Sequence, residues 1–317
     1  MSAVGWRPLT YLGSAVLLWG TSFAVTKSAY AVLPPMYVVW LRMLVAVLAF
    51  LPLLRFVKPP AYERGDWKYL GLASLFLPCL YFALEGFAIL FTSSSQAGVI
   101  AAVMPLIVAV SAWAVLRERP ATATIVAICV SMAGVAALSL GGTTHDAAPN
   151  PLLGNLLELG AMFAAAGATL TIKRLSTRYD PLLITGMQMA VGSVFFAPLA
   201  LASGPVEWLA VPASAWAAIA YLGIGCGLAA FALYNSGLRL VPATRAALTI
   251  NLVPAVAILT GWFALGETMV PLQVAACGLI IGSVVLAEIA SRRAAAPRGS
   301  EPAEPARPAE AAETAKG

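Results

Sequence analysis

Four charged side chains interrupt the long apolar stretches of this 317-residue chain: Lys27, Arg42, Glu85 and Glu158. Two cations and two carboxylates sum to zero charge, and a buried charge is costly unless it is paired or hydrated. Such groups can bind an ionic solute or transfer a proton. We predict that the four form a neutral network lining an external vestibule. The alternative is that Lys27 extends toward the membrane surface while the others pair only for structure.

A second group of residues combines aromatic rings with a few polar groups near the centres of apolar segments. Tyr81 and Glu85 are four residues apart and share a helix face, while Asn251 is an amide at a depth where polar groups are costly. An apolar pocket with a few placed polar groups suits amino acids or similar metabolites. For any single aromatic residue, ordinary core packing is the alternative. The predicted substrate-binding residues are Trp19, Phe23, Tyr81, Glu85, Gln96, Ile100, Met162, Tyr234 and Asn251.

Two prolines, Pro105 and Pro254, lie near the middle of apolar segments. A proline lacks an amide hydrogen and clashes with the carbonyl four residues earlier, here near Ala101 and Ile250. Bare carbonyls are tolerated in a membrane where protein or a watery cavity covers them. We predict helix breaks that face a central cavity, with simple packing kinks as the alternative.

The composition indicates a helical membrane protein. Hydrophobic residues make up 61% of the chain, charged residues make up 10%, and the mean hydropathy is +0.87. These values exclude a soluble enzyme, a nucleic-acid-binding module and a disordered chain. A spanning helix needs about 20 apolar residues, and the apolar runs are too long and continuous for β-barrel strands. We predict an all-α membrane protein with ten transmembrane helices, over about 9–29, 35–55, 67–90, 93–116, 122–141, 151–173, 180–203, 213–238, 242–265 and 269–290.

Basic residues between these segments alternate from one side to the other. The loops after the even-numbered segments carry Lys or Arg, as at Arg117, Lys173 and Arg239, whereas the loops on the opposite side carry neither. Basic loops stay in the cytoplasm. Both termini are therefore predicted to be cytoplasmic, with the chain in the plasma membrane, or the inner membrane if it is bacterial.

Internal similarity divides the chain into two halves. Pro105 and Pro254 are 149 residues apart, and the same separation relates Glu118 to Glu267. Each half holds five predicted helices, an odd number, so the second half must enter the membrane from the opposite side. Such inverted repeats enclose the substrate site of many secondary transporters. The predicted divisions are a cytoplasmic N-terminus at 1–8, a first repeat at 9–141, an external linker at 142–150, a second repeat at 151–290 and a disordered cytoplasmic tail at 291–317.

The sequence predicts no catalytic site, cofactor or metal site. The four cysteines lie in apolar runs without C-x-x-C spacing, and the single histidine, His145, falls in a predicted outer loop. Apart from Asp180 at the first residue of the span 180–203, the predicted spans contain no Asp, and no P-loop pattern occurs. We therefore expect that the protein is not an enzyme. A channel or receptor is also disfavoured, because a fixed pore has no need of two exchangeable gates.

The first predicted helix carries a recognisable motif. Its segment Leu17-Leu18-Trp19-Gly20-Thr21-Ser22-Phe23-Ala24-Val25-Thr26-Lys27 resembles the first-helix signature of the EamA family, within the drug/metabolite transporter superfamily. Arg42 is placed as the arginine of that family's second helix. Gly266-Glu267 resembles the end of the repeat's fourth helix, with Arg117-Glu118 as a weaker counterpart.

The resemblance covers about residues 9–290. It implies a ten-helix transporter with a central cavity that exports small metabolites, similar to the YddG-type amino acid exporters. The second half departs from the pattern, because Leu159-Gly160 stands in place of the Trp-Gly pair and no lysine matches Lys27 at that spacing.

Together these features predict a secondary transporter that exports small metabolites, above all amino acids, by alternating access. The alternatives are efflux of organic cations or drugs, for which Glu85 supplies a carboxylate, and transport of nucleotide-type substrates, which would favour Lys or Arg at the midplane. The expected partners are a small solute and membrane lipid, without nucleic acid. Gly278 and Gly282 form a small-residue face for helix packing, either within a monomer or in a weak homodimer.

Overall fold

The structure is a computed structural model that describes residues 6–116, 148–241 and 249–295, together with residue 246 and a few positions between 122 and 137. The elements assigned within these ranges are all helices. Most of the predicted fifth segment, 122–141, and the chain beyond 295 lie outside the described residues. The count of ten transmembrane helices therefore stays a prediction.

Six helical stretches are long and apolar enough to cross a membrane. Four of them are α1 (Trp6–Tyr30), α2 (Pro35–Phe50, extended by the 3-10 helix Leu51–Phe56), α7 (Pro151–Leu175) and α8 (Pro181–Ala202). The other two are interrupted, with α3 (Asp66–Ser74) joined to α4 (Tyr81–Phe91) and α9 (Ala213–Ala220) joined to α10 (Phe231–Leu240). The remaining helices are α5 (Ser94–Ile100), α6 (Met104–Leu116), α11 (Val253–Leu265) and α12 (Pro271–Ala295).

Prolines and side-chain caps set where the second-half helices begin. Pro151 and Pro181 open α7 and α8, where a missing amide hydrogen costs nothing. Asn150 accepts the amide hydrogen of Leu153 at 3.2 Å, and the Asp180 carboxylate caps α8 in the same way. The chain leaves each preceding loop at a defined residue, which fixes the register of both helices.

The two halves share their irregularities. A 3-10 turn at Ala101–Val103 precedes α6, and another at Ile250–Leu252 precedes α11, 149 residues later. Pro105 and Pro254 are the second residues of these new helices, a position that suits proline. The break predicted at each proline therefore falls just before it, and the segment predicted over 93–116 is divided in the structure.

The third and eighth predicted segments are also interrupted at matching places. The π-helical stretches Leu75–Leu80 and Tyr221–Ala230 separate α3 from α4 and α9 from α10. In the first, Leu77 has an extended backbone (φ −138°, ψ 118°) before Pro78. The Gln188 side chain of α8 donates a hydrogen bond to the Leu77 carbonyl oxygen at 2.7 Å. The carbonyl at the break therefore has a hydrogen-bond donor from a neighbouring helix.

A seam of glycines brings α7 against α4. A methyl group at Gly154 would lie 2.8 Å from the Thr92 amide nitrogen and 2.9 Å from the Ala88 carbonyl oxygen. Further along the seam, Gly160 faces Leu84. The helices run antiparallel, and small residues allow the close backbone approach that drives packing in membranes. This contact joins the first half of the chain to the second.

Large apolar side chains cover the outside of the bundle. Val194 is 76% exposed and Phe263 is 75% exposed, and many other leucines and aromatics share this outward position. Such extensive apolar surface is unusual for a soluble monomer and suits the hydrocarbon of a bilayer. The polar and charged side chains that line the cavity lie inside the bundle.

Candidate substrate cavity

A cavity lies between the two halves, and the space free of protein atoms in it and in the open solvent at its mouth is about 700 Å³. Helices α1, α2, α4 and α6 line it from the first half, and α7, α10 and α11 line it from the second. Most of its wall is apolar. The lining residues that carry polar side chains are Trp19, Ser22, Arg42, Tyr81, Glu85, Thr169, Tyr234 and Asn235.

An aromatic cluster forms one side of the cavity. Trp19 packs against Phe231 and Tyr234, with ring centroids 4.8 and 5.1 Å apart, and Phe82 lies 6.1 Å from Phe231 in an edge-to-face contact. The Trp19 indole donates at 3.4 Å to the carbonyl oxygen of Cys226, which lies in the π-helical stretch before α10. Rings from both halves therefore meet here, and their faces can attract a cation.

Arg42 and Glu85 form a loose ion pair at the cavity wall. Arg42 Nη1 lies 4.0 Å from Glu85 Oε2, and both residues are buried. The Arg42 guanidinium also stacks 4.6 Å from the centroid of Phe82, and the Tyr81 hydroxyl donates to Glu85 Oε1. At this separation the two charges are close enough to neutralise each other and far enough apart for a solute to compete for either one.

The structure brings six of the nine predicted substrate-binding residues to the cavity: Trp19, Phe23, Tyr81, Glu85, Met162 and Tyr234. Gln96 and Ile100 are buried but do not line it, whereas their neighbours Ala101 and Met104 do. The side chain of Asn251 lies outside the described residues. Whether the six bind substrate remains a prediction.

Gln96 joins the halves instead of facing the cavity. The Asn155 amide donates to Gln96 Oε1 at 3.0 Å, and the Thr92 hydroxyl donates to Asn155 Oδ1 at 2.7 Å. All three residues are buried. The sequence shows a polar residue on an apolar helix but does not show that a distant amide satisfies it, which is why a packing contact resembled a binding residue.

Two lysines make the same contact in the two halves. The Lys27 amine donates to the carbonyl oxygens of Ile89 and Thr92 at the end of α4. The Lys173 amine donates to those of Leu238 and Val241 at the end of α10, both at 2.7 Å. The acceptors are related by the separation of 149 residues seen elsewhere. No lysine matches Lys27 at the spacing that aligns Trp19-Gly20 with Leu159-Gly160, but Lys173, at a different spacing, makes the equivalent contact.

These two lysine contacts lie at opposite ends of the molecule. Asn155, near the start of α7, bonds to Thr92 beside the Lys27 contact, while Lys173 itself lies near the end of α7. A helix rises about 1.5 Å per residue, so the 18 residues from Asn155 to Lys173 span about 27 Å. Equivalent contacts in the two halves are thus separated by nearly the whole length of α7.

The predicted four-membered charge network is divided in the structure. Arg42 pairs with Glu85, whereas Lys27 bonds to backbone carbonyls and has Glu267 as its charged neighbour. Glu158 is completely buried, and neither of its carboxyl oxygens has a hydrogen-bond partner among the described residues. The structure therefore shows three separate features instead of one neutral network lining a vestibule. These are an ion pair at the cavity, a lysine contact with backbone carbonyls, and a buried carboxyl group with no counter-ion among the described residues.

Glu267 caps the start of α5 from the far end of the second half. Its two carboxylate oxygens accept the amide hydrogens of Ser94 and Ser95, at 2.9 and 3.0 Å, and both serine hydroxyls, at 2.9 and 2.6 Å. Gly266 has a positive φ of 64° and ends α11 with the left-handed turn that aims Glu267 at α5. Its predicted counterpart, Glu118, lies outside the described residues.

A second ionic cluster joins the halves at the opposite end. Arg178, in the loop between α7 and α8, pairs with Asp66 at the start of α3 and with Glu63 at 2.9 Å. Tyr179 donates to Asp66 at 3.2 Å. The hydrogen bond to Asp66 raises the pKa of the Arg178 guanidinium, so the cation at the centre of this cluster stays charged.

Some cavity residues give little signal in the sequence. Ser22 and Thr169 line the wall, but a serine or threonine in an apolar helix commonly bonds to its own backbone, as Ser22 does with the Trp19 carbonyl at 2.7 Å. Asn235 was the better clue, since a buried amide needs partners; it donates to the Thr185 hydroxyl at 3.0 Å.

Comparisons with known proteins agree on the kind of molecule. The profile of the EamA-like transporter family matches residues 7–140 and 152–288. The chain is 26% identical to the uncharacterized transporter YetK of Bacillus subtilis over 291 residues, covering 89% of this chain and 87% of that protein. An uncharacterized transporter of Archaeoglobus fulgidus is 24% identical, over 81% of this chain and 88% of that protein. The chain also resembles a solved crystal structure with a TM-score of 0.62 and 20% sequence identity. The match covers 90% of this chain and 98% of the chain in that structure.

Proposed function

Because the chain belongs to the EamA-like transporter family, we propose that this integral membrane transporter exports small metabolites, and amino acids in particular, across the plasma membrane. The observation that carries the substrate class is the loose Arg42–Glu85 pair in the cavity wall. A free amino acid carries one ammonium and one carboxylate at neutral pH. The cavity offers one partner of each sign.

A zwitterion fits this pair. The Arg42 guanidinium can accept a carboxylate with two parallel hydrogen bonds, while Glu85 can accept an ammonium. A solute that bonds to both would replace a contact of 4.0 Å with two closer ones. The apolar remainder of the wall, with Met162 and Phe231, suits a hydrocarbon or aromatic side chain.

Efflux of organic cations is the second candidate. Its support is the aromatic cluster of Trp19, Phe231 and Tyr234 next to the Glu85 carboxylate, because ring faces and a carboxylate together attract a cation. Nucleotide-type substrates fit less well, since Arg42 is the one cationic side chain among the described lining residues.

Alternating access between two inverted five-helix repeats is the proposed mechanism. The two lysine contacts, at Lys27 and Lys173, support it because equivalent bonds occur at opposite ends of the bundle. If the halves exchange conformations, the gate that is closed at one end becomes the gate that is open at the other. We propose that the Arg178 end faces the cytoplasm, because the basic loops gather there.

The test is transport by the purified protein in proteoliposomes, with a panel of labelled amino acids and labelled organic cations. We expect wild-type uptake of one or more amino acids. Arg42→Gln should lose zwitterions while retaining any cation transport, and Glu85→Gln should lose both. Glu207→Gln, at an exposed loop position, is the matched control.

Unchanged amino acid transport in Arg42→Gln would remove the proposed zwitterion site. Transport of cations alone by the wild type would favour the second candidate. A wild-type protein that carries no member of the panel would refute both substrate classes.

A further inference from the structure

The charges at the Lys27 end of the bundle do not balance. The described cations there are Lys27 and Arg42, whereas the described carboxylates are Glu85, Glu158 and Glu267. Arg42 pairs with Glu85, and Lys27 has Glu267 as its charged neighbour. One negative charge is left over, and it falls on Glu158.

Glu158 lies level with Glu85 across the glycine seam. Gly154 of α7 faces Ala88 and Thr92 of α4, and Gly160 faces Leu84. Because the helices run antiparallel, residue 158 falls between these contacts, beside Glu85. Glu85 is accordingly the charged group that acts on Glu158.

The other titratable neighbours are phenols. Tyr30 of α1 and Tyr81 of α4 both lie within electrostatic reach of Glu158 and Glu85, and the Tyr30 hydroxyl lies against Gly86. Helices α5 and α6, which also pack against α7, carry no titratable side chain in their sequences. Among the described residues, no cation faces Glu158.

An ionised carboxylate cannot remain at such a place without a counter-charge. Glu158 is completely buried and its carboxyl oxygens have no hydrogen-bond partner in the described part of the chain. A carboxyl group in this position is neutralised by a proton, because the charged form loses its hydration and gains nothing in exchange. Glu85 lines the cavity, so a proton can pass between the pair and the cavity.

We propose that Glu85 and Glu158 form a proton-binding site that shares one exchangeable proton between its two carboxyl groups. The site rests on the burial of Glu158, on its two carboxyl oxygens without a partner among the described residues and on its position beside Glu85 across the glycine seam. That its proton moves in exchange for substrate rests on the second candidate of the proposed function: an organic cation that binds Glu85 displaces the proton, because the pair has only one surplus negative charge to offer, whereas a zwitterion brings a carboxylate of its own.

Infrared spectroscopy of the purified full chain in lipid nanodiscs tests the site without any transport. At neutral pH we expect a protonated-carboxyl C=O band in the wild type, retained in Glu207→Gln and lost in Glu158→Gln. In Glu158→Gln the remaining Glu85 pairs with Arg42 and ionises. A wild type without this band at neutral pH, or a band that survives both Glu158→Gln and Glu85→Gln, would overturn the proposal.

Proton exchange is tested in proteoliposomes that contain a pH-sensitive dye, with the labelled organic cations of the panel as the driving gradient. We expect wild-type substrate flux to be accompanied by an opposite proton flux, and Glu158→Gln to abolish the proton flux. Substrate flux without proton flux in the wild type would refute the exchange. Failure of the substrate class itself would appear separately, as a wild type that moves no panel member but still shows the infrared band.

Discussion

Replacing Glu267 tests whether the far end of the second half holds α5 in place. In Glu267→Ala, the amide hydrogens of Ser94 and Ser95 lose their acceptors, as do the two serine hydroxyls. The hydroxyls can rotate to other acceptors, but the amide hydrogens at the start of a helix have no partner within that helix.

The expected cost follows from those two amides. A hydrogen bond to a charged group contributes about 1.5–3 kcal/mol, so two of them set an upper limit of about 6 kcal/mol. Glu267 is partly exposed, and water replaces part of the loss. We expect Glu267→Ala to lower the free energy of unfolding by about 2–3 kcal/mol. Glu267→Gln keeps one acceptor oxygen and should lose about half as much.

The purified protein is unfolded in mixed micelles by a denaturing detergent, and the loss of helix is monitored by circular dichroism. Glu207→Ala is the matched control, because that glutamate is exposed in a loop and its removal should change stability by less than about 0.5 kcal/mol. If Glu267→Ala lies within that range of the control, the capping role is refuted.

Two further predictions concern the contacts between the halves. Gly154→Ala places a methyl group against the backbone of α4 and should lower the free energy of unfolding by about 1–3 kcal/mol. The control is Gly13→Ala, where nothing lies within 4 Å of the added methyl group, so stability should be unchanged or slightly higher. Equal effects of the two variants in the same unfolding assay would contradict the close approach of α7 to α4. Lys27→Met and Lys173→Met each leave two carbonyls without a donor and should each cost about 1–3 kcal/mol, against no change in the exposed control Lys58→Met. A loss in one lysine variant alone would show that the two contacts are not equivalent.

The start of a helix was easier to predict than its interior. Pro35 and Pro181 mark the first residues of α2 and α8, because a proline and the residue before it restrict the backbone locally. The interruption before α4 was missed although Pro78 is visible in the sequence. Its stability depends on Gln188, more than a hundred residues away, which bonds to the Leu77 carbonyl.

The candidate site was predicted unevenly for a similar reason. Trp19 and Glu85 were found because an aromatic or charged residue in an apolar helix stands out, and both line the cavity. Gln96 stood out equally, yet Asn155 satisfies it. The sequence does not reveal Lys173 as the equivalent of Lys27. The two lysines are 146 residues apart, whereas the alignment of Trp19-Gly20 with Leu159-Gly160 uses a different separation.

The repeated scaffold surrounds a chamber whose two faces are chemically unlike. Arg42 and Glu85, the charged lining residues that the structure describes, both come from the first half, whereas the second half contributes uncharged groups such as Thr169 and Asn235. Gln188 stands at the position equivalent to Arg42 and serves the backbone instead. A solute with one ionic end and one apolar end therefore has a single favoured orientation in the cavity, even though the helices around it are nearly symmetric.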